Sequence, residues 1–208
     1  MVTGVSSMLV SMTGAQSSGK TTLVNYFNSE ATFKETHRTW HIVPEVTRKL
    51  KRNGFKINDD HDNYTDTQIA ILVDHLNNIF SYSTNEDMNT ILDRCIIDGY
   101  IYTRYFRMEG KVNEFTDLMF SKMLNRYIKK YDRIFYTSPY DVSLIHDGER
   151  STSESFRNKI IKLYEELILG KYPNVFVLEG SIEKRYNSMI EIIEDDKALQ
   201  QKHKQASR

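Results

Sequence analysis

Gly14-Ala15-Gln16-Ser17-Ser18-Gly19-Lys20-Thr21 is the stretch that decides how this chain is read. It fits the pattern G-x-x-x-x-G-K-[ST] at every required position. Ser7 to Met12, a short apolar run, reads as a buried strand before it, and Leu23, Val24 and Phe27 follow at helical spacing over Lys20 to Asn28. Strand, glycine-rich turn and helix are the context in which this pattern cradles phosphate. Two glycines let the chain wrap closely enough for backbone N–H groups to face a triphosphate, and the helix N-terminus adds positive potential. Lys20 is expected to reach the β- and γ-phosphates, and the Thr21 hydroxyl to ligate Mg²⁺. Gln16, Ser17, Ser18 and Thr22 complete the expected ATP-binding set with Gly14 and Gly19.

Outward from this loop, strand-like and helical patterns alternate to the end of the chain. Thr39 to Val43 reads as a strand stopped by Pro44, and Asn53 to Asn63 as a polar loop. Thr65-Asp-Thr-Gln68 has capping-box form and opens a helix carrying Ile69, Leu72, Val73, Leu76 and Phe80. Asn89 to Asp93, Arg133 to Tyr136 and Val175 to Leu178 read as strands. Helices are expected over Ile101 to Met108, Phe115 to Tyr131, from a second capping box at Ser151 and Glu154 to near Gly170, and over Ile182 to Ile193. That order predicts a three-layer α/β sandwich with a central parallel sheet of about five strands.

A phosphate loop needs an acid at the tip of another strand to hold magnesium or its water shell. Asp93, at the end of Thr90-Ile-Leu-Asp93, is the best match, with Arg94 next and Asp98 shortly after. Glu45 follows the Thr39 to Val43 strand, where ligands bind at the carboxyl ends of parallel strands. An acid there can take the proton of an attacking hydroxyl. Arg48, three residues on, faces the same way on a helix. The sequence leaves open whether Glu45 or Asp93 is the base; magnesium is assigned to Asp93 and substrate binding to Glu45. Asp147-Gly148-Glu149-Arg150 lies in a polar loop, with Arg157 seven residues beyond Arg150. Mobile arginines there would close over the charge that develops in phosphoryl transfer.

With these residues in place the chain resembles the P-loop NTPases. The series Pro44-Glu45-x-x-Arg48, Gln68, Leu92-Asp93-Arg94 with Asp98, Asp147-Gly148-x-Arg150 with Arg157, and Glu179-Gly180 to Arg185 is similar to one P-loop kinase family. That family contains the ribosylnicotinamide kinase domain of the bacterial NAD-biosynthesis regulator. The resemblance covers about residues 8 to 193. It implies ATP-dependent phosphorylation of a nucleoside-like or nucleotide substrate. Lys20, Asp93, Glu45 and Arg150 would then be catalytic, Arg150 and Arg157 would contact the nucleotide, and Glu45, Arg48, Gln68, Arg94 and Asp98 the substrate. Residues 1–194 would form the kinase domain, with a lid over about 140–157 and a polar, fraying tail over 195–208. No acceptor is carried over.

Composition narrows the rivals. Lys plus Arg and Asp plus Glu are both 28 in 208 residues. Zero net charge argues against a protein that lives on nucleic acid or an anionic membrane, although the cluster from Arg48 to Arg52 leaves a nucleic-acid kinase as an alternative. A regulatory ATP- or GTP-binding module with slow hydrolysis is the other. Guanine-specific switches carry Asn-Lys-x-Asp, whereas Asn158-Lys159 is followed by two isoleucines. The single cysteine, Cys95, gives no intramolecular disulfide and fits a reducing compartment; together with no basic leader and no long apolar run, a cytoplasmic enzyme is expected, possible as a homodimer. His37 and His41 are spaced i, i+4, but no cysteine or acid supports a metal there. Tyr100, Tyr102, Tyr105 and Phe106 are candidates for a base pocket or for ordinary helix packing.

Overall fold

A computed structural model describes residues 7–29, 40–57, 63–84, 88–141 and 154–206. Five strands, β1 (Leu9–Thr13), β2 (Trp40–Val43), β3 (Asn89–Asp93), β4 (Arg133–Thr137) and β5 (Val175–Leu178), form one parallel sheet in the order β2-β3-β1-β4-β5. The helices are α1 (Lys20–Ser29), α2 (Val46–Arg52), α3 (Thr65–Tyr82), α4 (Ile96–Met108), α5 (Glu114–Tyr127), α6 (Glu154–Leu167) and α7 (Ile182–Ala206). A 3₁₀ turn, Ile128–Lys130, follows α5. This is the expected three-layer α/β sandwich.

The strands are apolar on both faces because both are covered. Met8, Val10, Met12, Ile91 and Phe135 point to one side, where Leu23, Val24 and Phe27 of α1 meet Tyr186, Met189 and Ile193 of α7. Leu9, Leu92, Ile134 and Tyr136 point to the other, against α2 to α6. At its start β1 is pinned from both neighbours: Met8 N donates to Asn89 Oδ1 at 2.9 Å and Leu9 N to Asp132 Oδ2 at 2.7 Å. At its end Met12 lies level with Asp93 of β3 and Phe135 of β4. The connection leaving β1 runs to β2 on one side, and that leaving β3 runs to β4 on the other. Parallel sheets open a crevice at such a switch point, here between β1 and β3.

Three local expectations are corrected. Thr65 does not cap α3: Tyr64 is the N-cap, the Thr65 N–H is taken by Asn63 Oδ1 at 2.9 Å, and Gln68 turns inward to Thr103. The helix expected from Ile101 begins at Ile96, because Asp98 closes its first turn by accepting from Cys95 N at 3.0 Å. The last helix, expected over Ile182 to Ile193, continues to Ala206, since Lys, Glu, Ala, Leu and Gln are good helix formers and no Gly or Pro interrupts them. Ser151, of the second capping box, His37 and Thr39 lie outside the described residues.

Gly99 of α4 is where three helices meet. A Cβ there would stand 2.6 Å from Phe120 Cε1 of α5 and 3.2 Å from His75 Cδ2 of α3. Gly99→Ala is therefore expected to cost about 1–3 kcal/mol through overpacking. A urea melt checks this: an unchanged midpoint would show that the helices have room for a methyl group.

Candidate active site

The loop between β1 and α1 has the backbone of an anion nest. Gly14 has φ +143°, and a Cβ on it would lie 3.0 Å from Ser18 Oγ, Thr137 O and Thr137 Oγ1. Gly19 has φ +88° and Ser17 φ +54°, a left-handed conformation that costs a non-glycine residue about 1–3 kcal/mol. Such alternation turns successive N–H groups into one concavity. Ser18 Oγ lies 2.6 Å from Thr137 Oγ1, which ties the loop to the end of β4. Lys20 is buried and its ammonium donates to Gly14 O (2.7 Å), Ala15 O (2.6 Å) and Ser18 Oγ (3.3 Å). Burial first, and the nearby Arg94 second, pull its pKa down to about 7, against the opposing pull of Asp98, Asp93 and Glu45. Thr22 is on the exposed side of the first turn.

Asp93 and Thr21 meet where the sequence places the metal. Thr21 Oγ1 donates to Asp93 Oδ2 at 2.8 Å. The other oxygen, Asp93 Oδ1, is buried and has no hydrogen-bond partner. A hydroxyl, one carboxylate oxygen to spare and phosphate oxygens suit Mg²⁺, which takes few protein ligands and keeps several waters. The residues present thus fit the ion.

Across the crevice a second cluster centres on Arg94. Its φ of +98° lies in the left-handed region, and with Ser17 it is one of two non-glycine residues there among those described. The guanidinium is buried. Nε lies 2.5 Å from Glu45 Oε1 and Nη1 3.2 Å from Asp98 Oδ1, and the group stands 5.8 Å from the Tyr102 ring centre. Burial opposes its charge, but Glu45, Tyr102 and Asp98 outweigh burial and hold its pKa well above the usual arginine value. Glu45 also accepts from Thr47 Oγ1 at 2.6 Å and pairs with the half-exposed Arg48 at 3.6 Å. Asp98 takes donors from Thr13 (2.9 Å), Cys95 N (3.0 Å), Tyr164 OH (3.0 Å) and Arg94. With both oxygens engaged by protein groups, its visible work is to hold Arg94.

Gln68 is buried, accepting at 2.8 Å from Thr103 Oγ1, and lies outside this ion-pair cluster. Among the aromatic candidates, Tyr102 touches Arg94, whereas Tyr105 packs edge-on against Phe156 and Phe106 stacks on Tyr64. Cys95 is buried, which pushes its thiol pKa well up and makes it a packed side chain. Arg157 reaches Pro139 O at 2.7 Å and Gln16 O at 3.4 Å, so it braces the outside of the loop. Arg150, with Asp147, Gly148 and most of the expected lid, lies outside the described residues. The sequence reading missed the part of Arg185, buried against the loop, and the hydroxyl of Tyr164, which bonds Asp98 and lies 3.3 Å from Gly14 N. Burial of an arginine leaves no local sequence signal, and Tyr164 reads simply as one more apolar position of α6.

Comparison with known proteins places this geometry. Residues 9–185 match the AAA domain family. The chain belongs to that family. No curated protein matches this AAA domain chain. Among solved structures it is similar to deoxyadenosine kinase from M. mycoides with bound dATP, at TM-score 0.58 and 17% identity, over 90% of this chain and 100% of that one. It is similar to thymidylate kinase from Candida albicans at TM-score 0.60 and 17% identity, over 92% and 93%. NadR in complex with NR gives TM-score 0.57 and 19% identity over 91% of this chain, which spans 51% of NadR. These likenesses give the fold: a P-loop α/β domain of the shape that nucleoside and nucleotide kinases share. No described helix is long and apolar enough to cross a membrane.

The depressed Lys20 pKa makes a stability prediction with a definite sign. Between about 7 and 10.5 the unfolded chain holds this proton and the folded chain does not, so stability rises with pH across that window. The charged lysine therefore penalises the fold fully below pH 7. Lys20→Met removes the penalty: its stability relative to wild type is expected to be highest at pH 6 and to decline steadily toward pH 10. Parallel denaturant titrations across that range check it, and a pH-independent difference would refute the buried, depressed lysine.

Proposed function

We propose that this AAA domain is an ATP-dependent kinase that phosphorylates a hydroxyl of a neutral, nucleoside-like small molecule. One observation carries the reading: a buried ammonium bonded only to neutral oxygens inside an amide nest, beside a buried carboxylate oxygen with no partner. Both groups suit a triphosphate with its magnesium. In this reading Gly14 to Thr22 wrap the phosphates and Lys20 neutralises charge developing on the γ-phosphoryl group. Thr21 and Asp93 would hold Mg²⁺, which when bound supplies Lewis-acid neutralisation of phosphate oxygens. Arg150 and Arg157 are proposed on the nucleotide side, Arg157 at least as a brace of the loop.

Glu45 is the proposed base, because Asp93 is committed to Thr21 and the metal position. The acceptor oxygen forms a bond to the γ-phosphorus, the bond to the β–γ bridging oxygen breaks, ADP leaves, and Glu45 takes the acceptor's proton. The pairing with Arg94 fixes where the Glu45 carboxylate stands. Such positioning suffices where the transition state is loose and the proton moves late. Charge favours a neutral acceptor. Arg94 is already balanced by Glu45 and Asp98, so among the described residues an acceptor phosphate would find no uncommitted buried cation there. Arg48, paired with Glu45, is proposed as a further substrate contact on the same side, and Gln68, buried in α3 against Thr103, as a contact outside that cluster.

A transfer screen with labelled ATP across nucleosides, their monophosphates and ribosylnicotinamide tests this. Acceptor-dependent transfer to a nucleoside hydroxyl is expected, lost in Lys20→Ala. Glu45→Gln is expected to lower kcat by about 10²-fold or more while leaving KM for ATP near wild type. ATP consumption that ignores every added acceptor would instead mark a slow hydrolytic module, and transfer to monophosphates alone would overturn the neutral acceptor.

A further inference from the structure

We infer that Arg185 is a positioning residue for the nucleotide: from the first turn of α7 it sets the direction in which the Gly14–Thr21 loop presents its amides. The inference rests on the reading of that loop as an ATP site. Arg185 is 2% exposed, and its donors go to main-chain oxygens of three separate segments. Nη1 donates to Ser18 O of the loop at 2.8 Å, Nη2 to Ser138 O just after β4 at 2.9 Å, and Nε to Gly180 O just after β5 at 2.9 Å. Asp141 Oδ2 lies 3.4 Å from Nη2 and accepts from Gly180 N at 2.7 Å. Neither the acceptor cluster nor the metal position uses this side chain.

The consequence follows from peptide geometry. In a trans peptide the C=O of one residue and the N–H of the next point in opposite directions. Ser18 O is drawn outward onto Arg185, so the Gly19 N–H is turned inward, into the concavity where the anion would sit. The same relation holds more weakly at Gln16 O, which Arg157 approaches from α6, and it turns the Ser17 N–H inward. One arginine comes from each helical layer, and each holds the rear of the loop. The planar fork of a guanidinium fixes three directions at once, which the single ammonium of lysine cannot do. Unheld, the Ser18–Gly19 peptide is free to rotate and aim its carbonyl at the phosphates.

Titration calorimetry of the full chain with ATP and Mg²⁺, paired with the ¹⁵N amide spectrum, tests this. Arg185→Lys is expected to raise the Kd for ATP about tenfold, the worth of one well-aimed hydrogen bond, and to shift the Gly19 cross-peak. KM for the acceptor should not move. A mere structural staple would lower the melting temperature and leave affinity per folded molecule unchanged. A folded Arg185→Lys protein with wild-type Kd and an unmoved Gly19 peak therefore overturns the inference. If that variant fails to fold, Asp141→Ala decides, because it loosens the outer hold on Arg185: a Kd raised about threefold supports the inference and an unchanged Kd overturns it. Wild-type protein that binds ATP yet phosphorylates no acceptor would sink the kinase reading alone. Wild-type protein that binds no ATP would sink both.

Discussion

An ammonium buried among oxygens that carry no formal charge is the constraint on which the site depends. Lys20 has three hydrogen-bond acceptors, two carbonyls and a hydroxyl, so its polar needs are met while its charge is not. Asp93, Asp98 and Glu45 act on it through space and do not offset burial and Arg94, as its low pKa records. A carboxylate in contact would have neutralised the cradle from within. The fold avoids that by turning Asp93 onto Thr21 instead. The cradle is thus left with a charge that its own contacts do not neutralise, which is the charge the proposed triphosphate would meet.

The opposite wall of the crevice is built the other way. Arg94 is held by Glu45 and Asp98, and it keeps a left-handed backbone that disfavours any side chain. The magnitudes explain why this strain persists. A non-glycine residue at such φ costs about 1–3 kcal/mol. Removing one partner from a buried ion pair costs about 3–5 kcal/mol, because the other charge is stranded. The pairing therefore outweighs the strain. Asp98 spreads the pairing further: its four donors come from the end of β1, the entry to α4, α6 and Arg94 itself. The Arg94 cluster is thus tied to the same strand end that starts the Gly14–Thr21 loop.

This division also explains what the sequence made legible. The loop from Gly14 to Thr21 was readable because its chemistry is local: glycines, lysine and threonine are neighbours in the chain and need only a strand and a helix around them. The parallel sheet of about five strands needed only the alternation of strand and helix patterns, whereas the order β2-β3-β1-β4-β5 is a finding of the structure. Asp93, Arg94 and Glu45 were readable as strand-end residues, but that Arg94 would bridge Glu45 and Asp98 depends on β2 and β3 lying side by side. Gln68 was misread as a helix cap because the capping-box pattern is blind to a partner such as Thr103, thirty-five residues away. Arg185 was the least legible. In sequence it only closes the Glu179-Gly180 run that carries part of the resemblance, with no role assigned, and only the packing of α7 beneath the loop makes it a buried clamp.

The precision of the site begins at the far end of the sheet. Thr21 and Asp93 meet only if β1 and β3 hold their register, with Met12 level with Asp93. A slip by one residue would move a strand end by about 3.3 Å, more than the hydrogen bond between the two side chains tolerates. It would also turn every side chain of β1 to the wrong layer. Apolar packing alone resists the second error better than small shifts along the strand, since Ile, Leu and Val slide against one another at little cost. Directional contacts at the start of β1 supply what packing lacks. Asn89 takes Met8 N and Asp132 takes Leu9 N, one from each neighbouring strand region, so β1 is fixed lengthwise before it reaches the loop. Two polar side chains at the opposite end of the strands thereby set the spacing at which Thr21 and Asp93 meet.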